Sequence, residues 1–122
     1  EQLNKLRLPY NINILTQASA NFLLKEKKYI HNNAKTIIDE RGRVFKALSL
    51  IPQLTVFPSQ ANFILVKADN INSLNEFLKS HGILVKSFKD GSKLKNFLRI
   101  TISKLQENNT FLDCIKDYYG KS

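Results

Sequence analysis

The stretch KNFLRITIS, residues Lys95 to Ser103, has the pattern of a β-strand that is buried on one face. Successive side chains of a strand point to opposite faces of a sheet, so Leu98 and Ile100 share one face while Arg99 lies on the other. We expect the leucine and isoleucine to face the core and Arg99 to point away from it. A buried guanidinium is costly without a partner, so Arg99 must stack at the surface on Phe97, pair with an acid, or bind an anion from outside the chain.

The segments around this strand predict the rest of a small layered fold. The predicted elements are strands at 54–57 and 62–67, a helix that ends at Gly82, strands at 83–86 and 97–102, and a final helix after Ser103. The pairs Ser73 with Glu76 and Ser103 with Gln106 have the spacing of helix-capping boxes. The order ββαββα predicts an α+β fold, in which an N-terminal helical stretch precedes a small mixed sheet with helices on one face.

The N-terminal part of the chain has a helical pattern that begins at Thr16. Apolar residues recur there at spacings of three, four and seven until Pro52 closes the region. The pattern is compatible with one long helix or with two, and Asn32-Asn33 is the candidate break. Residues 1–15 include KLRLPYNIN and lack such periodicity. We therefore divide the chain into an irregular segment, 1–15, and a domain with its linking helices, 16–122.

Composition argues against several classes of function. The chain has 122 residues and a net charge of +9, but its lysines are scattered among asparagines and isoleucines without an Arg-rich run, so no nucleic-acid partner is expected. Cys114 is the sole cysteine, and His31 and His81 stand apart from it and from each other, which predicts no disulfide and no metal site. No apolar run is long enough to span a membrane, so we expect a cytoplasmic location. The sequence contains no methionine, which favours a piece of a longer protein.

Several motifs together resemble one enzyme family. They are KLRLPYNIN, Gln17 with the helix after it, PSQANFILV, HGILVK, and FLRITIS followed by Gln106-Glu107-Asn108. Their order and spacing are similar to the C-terminal part of histidinol-phosphate aminotransferases, which are pyridoxal-phosphate enzymes of the aspartate-aminotransferase-like superfamily. The resemblance covers essentially the whole chain and implies the small domain of a fold-type I aminotransferase. The full-length enzyme would exchange an amino group between histidinol phosphate and 2-oxoglutarate in histidine biosynthesis.

The same resemblance implies the site residues. In the family, the arginine that corresponds to Arg99 grips the anionic end of the substrate, a task that suits the rigid donor fork of a guanidinium. A second family arginine falls on Lys86, which keeps the charge but loses the bidentate geometry. A related threonine-phosphate decarboxylase, or an aminotransferase for another amino acid, therefore remains an alternative. Asn62 and Tyr10 are further candidates for substrate contact. For Asn62 we favour a role in the Pro58 turn, and packing is the alternative for Tyr10.

The cofactor-binding residues of the family precede the segment that corresponds to KLRLPYNIN. They comprise the Schiff-base lysine, the acid that pairs with the pyridine nitrogen, and the groups that hold the cofactor phosphate. Ser92-Lys93 has the dipeptide of the family lysine, but it lies in a predicted loop and lacks the G-L-x-G-x-R that should follow. We therefore expect this chain alone to hold no catalytic residue and no cofactor, and to act with a large domain of the same polypeptide, as a homodimer at full length. The competing hypothesis is a freestanding anion-binding α+β module.

Overall fold

Residues 12–89 and 91–120, which a computed structural model describes, form four helices and four strands. In chain order these are α1 (Ile14–Lys25), α2 (Lys27–Ser49), β1 (Thr55–Phe57), β2 (Phe63–Lys67), α3 (Ile71–Ser80), β3 (Lys86–Ser87), β4 (Phe97–Thr101) and α4 (Leu105–Gly120). The order after α2 is ββαββα. The predicted α+β class, with its N-terminal helical stretch, is confirmed.

The described chain divides into two compact units, the first ending at Ala34 and the second beginning at Lys35. In the first unit α1 begins at Ile14, two residues before the predicted start, because the Asn13 side chain caps it by accepting the N–H of Leu15 at 2.8 Å. Of the two possibilities left open, the structure has two helices, but α2 is continuous through the candidate break at Asn32-Asn33. The interruption lies at Glu26, whose carbonyl accepts the N–H of Tyr29 at 3.0 Å and so starts the next helix. The division into 1–15 and 16–122 stays a prediction.

The sheet of the second unit has the order β1-β2-β4-β3, and all three of its pairings are antiparallel. The predicted hairpin of β1 and β2 is confirmed, but the expected mixed sheet is wrong. The connection through α3 does run between two parallel strands, β2 and β3. However, β4 inserts between them, so no parallel ladder forms within the described sheet.

Helices cover one face of this sheet, as predicted. The register places Ile64 opposite Ile100 and Val66 opposite Leu98, and all four side chains are buried. They share one apolar cluster with residues of all three helices of the second unit. The helical members of that cluster are Val44 and Leu48 of α2, Ile71, Leu74 and Leu78 of α3, and Phe111, Leu112, Cys114 and Ile115 of α4.

The segment from α3 to β3 explains why one predicted strand is short. Gly82 has a φ of +76°, and its N–H bonds to the carbonyl of Lys79 at 3.0 Å. The N–H of Ile83 bonds to the carbonyl of Leu78 at 2.9 Å, which completes a Schellman motif and confirms Gly82 as the residue that ends the helix. Because the N–H of Ile83 is bonded to the end of α3, it cannot pair with a neighbouring strand. The predicted strand 83–86 is replaced by a two-residue strand that begins at Lys86.

Neither predicted capping box forms. The helix α3 begins at Ile71, so Ser73 lies inside its first turn rather than at its cap. The preceding residue, Asn70, donates from its side chain to the Tyr118 hydroxyl at 3.1 Å instead of capping the helix. Before α4, Ser103 bonds to the carboxylate of Glu107 and not to Gln106. The partner of Asn70 is distant in sequence, whereas that of Ser103 is a local residue one position beyond the predicted one.

Candidate functional site

The structure brings two of the predicted site residues together on one surface. In the antiparallel pair of β3 and β4, Lys86 stands directly opposite Arg99. Residues opposite each other in this way project from the same face of a sheet, with Cβ atoms about 5 Å apart. This is the face that the helices leave uncovered, and both side chains are exposed. The side of β4 that was predicted for Arg99 is therefore confirmed, and Lys86 is its immediate neighbour.

The Arg99 guanidinium stacks on a phenylalanine, but not on the predicted one. Its Cζ atom lies 5.4 Å from the centre of the Phe63 ring, on the neighbouring strand β2. Phe97 packs instead against Phe57, with ring centres 5.6 Å apart. A diagonal cross-strand neighbour is within reach of an aromatic ring, and a cation over such a ring gains about 0.5–1 kcal/mol at an exposed position. The stacking holds the guanidinium beside the sheet without using its N–H donors.

Within residues 12–89 and 91–120, neither Arg99 nor Lys86 forms an ion pair with a carboxylate. Two like charges directly opposite each other on a sheet destabilise it. An anion bound between them would remove that repulsion and accept charge-assisted hydrogen bonds from both. The arrangement is thus suited to a phosphate or carboxylate supplied from outside the described residues.

A partly buried ionic network anchors the backbone just after β4, and sequence reasoning missed it. Glu40 of α2 accepts two hydrogen bonds from Arg43, at 2.8 and 2.7 Å, and one from the side chain of Asn108 at 2.8 Å. The Asn108 side chain also accepts the N–H of Ser103 at 3.0 Å and donates to the Ser103 carbonyl at 2.9 Å. The signal in the sequence was an acid on the apolar side of a helix, because Glu40, Val44 and Leu48 are four residues apart.

Ionisation of Glu40 is favoured in this network. The hydrogen bonds from Arg43 lower the pKa of the Glu40 carboxyl below its usual 4.5, with Asn108 helping, against the opposing effect of burial. The same bonds raise the pKa of Arg43. The charged form of Glu40 is therefore part of what fixes the chain between β4 and α4.

The turn before β2 is held by residues other than the predicted one. The Ser59 hydroxyl accepts the N–H of Ala61 at 3.1 Å, and Arg41 of α2 donates to the Ala61 carbonyl at 2.7 Å. Asn62 contributes its backbone carbonyl to the N–H of Ile102 at 2.8 Å, while its exposed side chain makes no hydrogen bond to the described residues. The turn role predicted for that side chain is thus not seen there. Tyr10, the remaining candidate, lies outside the described residues.

The remaining reactive side chains do not gather into a site. The part of the chain that the structure describes contains no group of three acids, histidines or cysteines able to hold a metal ion. Cys114 is a buried free thiol, and its pKa is raised by burial and by the charge of Asp117. The ring of His81 bonds to the carbonyl of Phe77 at 2.8 Å and packs on the Phe77 ring.

The described residues do not fit a pyridoxal phosphate site. One cavity of about 420 Å³ lies between α4 and residues 82–85, and another of about 330 Å³ lies between α2 and the Pro58 turn. Neither cavity is lined by a lysine that could bond to the cofactor aldehyde. Lys93 is exposed in the turn before β4, away from both linings. No chemical step is therefore assigned to that cofactor on the residues of this chain.

Comparison with known proteins identifies the relatives. No protein-family model matches the chain. A curated histidinol-phosphate aminotransferase of Vesicomyosocius okutanii is 53% identical over 118 residues, which are 97% of this chain and 33% of that protein. The chain is a relative of histidinol-phosphate aminotransferases. It spans about one third of the length of the curated relatives that it matches.

Solved structures agree with this relationship. The histidinol-phosphate aminotransferase of Clostridium acetobutylicum superposes with a TM-score of 0.82 at 28% identity, over 95% of this chain and 36% of that one. A decarboxylase of Sulfurospirillum multivorans superposes with a TM-score of 0.78 at 25% identity, over 97% and 35% of the two chains. The resemblance to the C-terminal part of histidinol-phosphate aminotransferases and the predicted fold are thus confirmed. Among the described residues, no helix is both long and apolar enough to cross a membrane.

Proposed function

We propose that this chain is the substrate-gripping part of a pyridoxal-phosphate-dependent aminotransferase, and that histidinol phosphate is its amino donor. The observation that carries the proposal is the position of Lys86 directly opposite Arg99, on the uncovered face of the sheet and without a carboxylate partner among the described residues. Relatives of this name match nearly the whole chain, and their sequences are about three times as long. The rest of such a polypeptide would supply the cofactor domain, and a homodimer would be the working form.

In this proposal the chain binds and orients the substrate. The Arg99 fork receives two oxygens of the anionic end, and Lys86 adds a second charge from the neighbouring strand. Phe63 restricts the guanidinium, and the Glu40 network holds the chain that leaves β4. A fixed anchor of this kind lowers the entropic cost of bringing the reacting amine to its partner. Pyridoxal phosphate, when bound by the larger domain, supplies the electron sink.

The test is a chimaera in which this chain replaces the matching third of the Vesicomyosocius okutanii enzyme. We expect transfer of the amino group from histidinol phosphate to 2-oxoglutarate. Loss of a hydrogen bond to a charged group costs about 1.5–3 kcal/mol, so Arg99→Ala should lower kcat/KM by at least about 10-fold. Lys116→Ala is the control, because that exposed lysine pairs with Asp113 on α4. Equal activity of both variants would refute the role of Arg99.

A phosphoamino-acid decarboxylase is the second candidate. Its support is the Sulfurospirillum decarboxylase, which superposes with a TM-score of 0.78, together with a lysine where the aminotransferase family has its second arginine. Release of carbon dioxide from threonine phosphate by the chimaera, without amino transfer, would favour this candidate. Binding of inorganic phosphate by the chain alone, with neither reaction in the chimaera, would favour the freestanding anion-binding module.

A further inference from the structure

Arg41 lies in α2 and reaches a backbone carbonyl that is 20 residues further along the chain. Its Nη1 atom donates to the Ala61 carbonyl at 2.7 Å. Arg41 is half-buried, and among the residues that the structure describes it forms no ion pair with a carboxylate. Partial burial of a guanidinium is favourable only where its donors find acceptors. The bond to Ala61 is therefore the specific interaction that this arginine makes within the described fold.

The Ala61 carbonyl belongs to the turn that leads into β2. The hydroxyl of Ser59 accepts the N–H of Ala61 at 3.1 Å, so both polar groups of the Ala61 backbone are bonded. The carbonyl of the next residue, Asn62, accepts the N–H of Ile102 at 2.8 Å and so already belongs to the sheet. Arg41 thus fixes the chain two residues before β2 begins.

The first residue of β2 is the one on which Arg99 stacks. This residue is Phe63, and the centre of its ring lies 5.4 Å from the Arg99 Cζ atom. Phe63 stands opposite Thr101 and Arg99 stands opposite Leu65, so the stacked residues are diagonal neighbours on the uncovered face. The end of a strand opens more readily than its middle. The position of the Phe63 ring therefore depends on how firmly the chain is held where it enters β2.

Two consecutive residues of α2 hold the central strands at the same end of the sheet. Arg41 holds the chain before β2, and Glu40 holds the chain after β4 through Asn108. These two strands carry the stacked pair, and their held ends are neighbours in the antiparallel ladder. The placement of the phenylalanine beneath the guanidinium therefore depends on α2 as well as on the sheet.

We propose that Arg41 is a positioning residue for anion binding. Its hydrogen bond to the turn before β2 places Phe63 so that the Arg99 guanidinium is held in the orientation that receives the anion. This inference rests on the proposed function for the identity of the anion. It adds a residue that acts on the site through the turn and the phenylalanine.

The experiment uses the chimaera with the Vesicomyosocius okutanii enzyme and inorganic phosphate as the probe. Isothermal titration calorimetry gives the Kd, and Arg99→Ala shows how much of the affinity belongs to this site. Arg41→Met removes the donor but keeps an unbranched side chain of good helix propensity. Its Kd should rise about 5-fold, which is part of the loss of at least about 10-fold expected for Arg99→Ala, because the guanidinium is present but no longer held in place. Lys46→Met is the matched control, since Lys46 is exposed on the same helix.

A double-variant cycle separates positioning from a general effect on stability. Phe63→Leu removes the ring and keeps an apolar side chain. If Arg41 acts through that ring, adding Arg41→Met to Phe63→Leu should not weaken phosphate binding further. A general loss of stability would add to the effect of Phe63→Leu instead. Should Arg41→Met not fold, Ser59→Ala takes its place in the cycle, because it removes the other bond that holds Ala61.

Three results would overturn the inference. They are an unchanged Kd in Arg41→Met, an equal loss in Lys46→Met, and a loss that adds in full to that of Phe63→Leu. Phosphate binding requires no turnover, so the readout is independent of the proposed reaction. Phosphate binding that depends on Arg41 in a chimaera that transfers no amino group would sink the proposed reaction and leave the positioning role standing. An active chimaera with phosphate binding insensitive to Arg41→Met would do the reverse.

Discussion

The two faces of the sheet differ in whether the charged side chains near them are paired. On the inner face, Ile64, Val66, Leu98 and Ile100 are at most 5% exposed, and the charged Glu40 in the helices above is paired with Arg43. On the outer face, Lys86 and Arg99 stand side by side without a carboxylate among the described residues. A buried charge is costly unless it is paired within the fold, whereas an exposed charge is solvated by water and stays available to bind a ligand. The comparison separates the residues that stabilise the domain from those available for binding.

The largest effect should follow from a cavity on the inner face. Leu98 is fully buried in the centre of the sheet, so Leu98→Ala should lower the free energy of unfolding by about 3 kcal/mol. Urea denaturation followed by circular dichroism measures this difference. Leu84→Ala is the control, because Leu84 is 83% exposed and its removal leaves no cavity. Similar losses for both variants would show that the face assignment is wrong.

A smaller effect is expected for the paired charge. Glu40→Gln should cost about 2 kcal/mol at pH 7, because Arg43 and Asn108 would then face an amide that cannot accept all their hydrogen bonds. Asp39→Asn should cost less than about 0.5 kcal/mol, since its pair with Lys35 is exposed.

The pH dependence sharpens this prediction. The pKa of Glu40 is lower in the folded chain than its usual 4.5, so the stabilisation is fully present above that value and is lost as the pH falls through the folded pKa. The difference in the free energy of unfolding between the unchanged chain and the Glu40→Gln variant should therefore become smaller below about pH 4.5. Denaturation curves from pH 7 to pH 3 measure it, and a constant gap would contradict the ionic origin.

The smallest change in stability is expected on the outer face. Arg99→Ala should alter the free energy of unfolding by less than about 1 kcal/mol, because only its stacking on Phe63 is lost. The loss of repulsion towards Lys86 acts in the opposite direction. Thermal denaturation in phosphate-free buffer, compared with Lys116→Ala, checks this. A loss as large as that of Leu98→Ala would mean that Arg99 supports the fold and is not reserved for a ligand.

Much of the fold could be predicted because patterns within short segments of the sequence determine its main strands and helix ends. The alternation in 97–102 and the apolar run in 62–67 placed β4 and β2, and Gly82 marked the end of α3 correctly. The capping boxes failed since α3 begins two residues before Ser73, and since Ser103 bonds to Glu107 and not to Gln106. The sequence left open whether the helical region breaks, because the Asn32-Asn33 pair has only a weak local preference against helix, and the observed helix continues through it.

The candidate site was predicted as a set of residues but not as an arrangement. Its members were identified from motifs, and no property of the sequence indicated that Lys86 would lie opposite Arg99 on the neighbouring strand. Nor did the spacing indicate that the Arg99 guanidinium would stack on Phe63 and not on Phe97. Both facts depend on the register between strands, which is determined by how many residues each turn consumes and where each strand begins.

The sequence by itself determined which side of β4 faces the core, because a strand alternates with a period of two and apolar residues occupy one phase. It also determined that Arg99 lies on the other side. Only the tertiary structure decided that Arg99 lies beside Lys86, that Glu40 is bonded to Asn108, and that the sheet is wholly antiparallel within the described residues. The physical reason is that these contacts join segments far apart in the chain, where side-chain patterns within one segment carry no information about the neighbour.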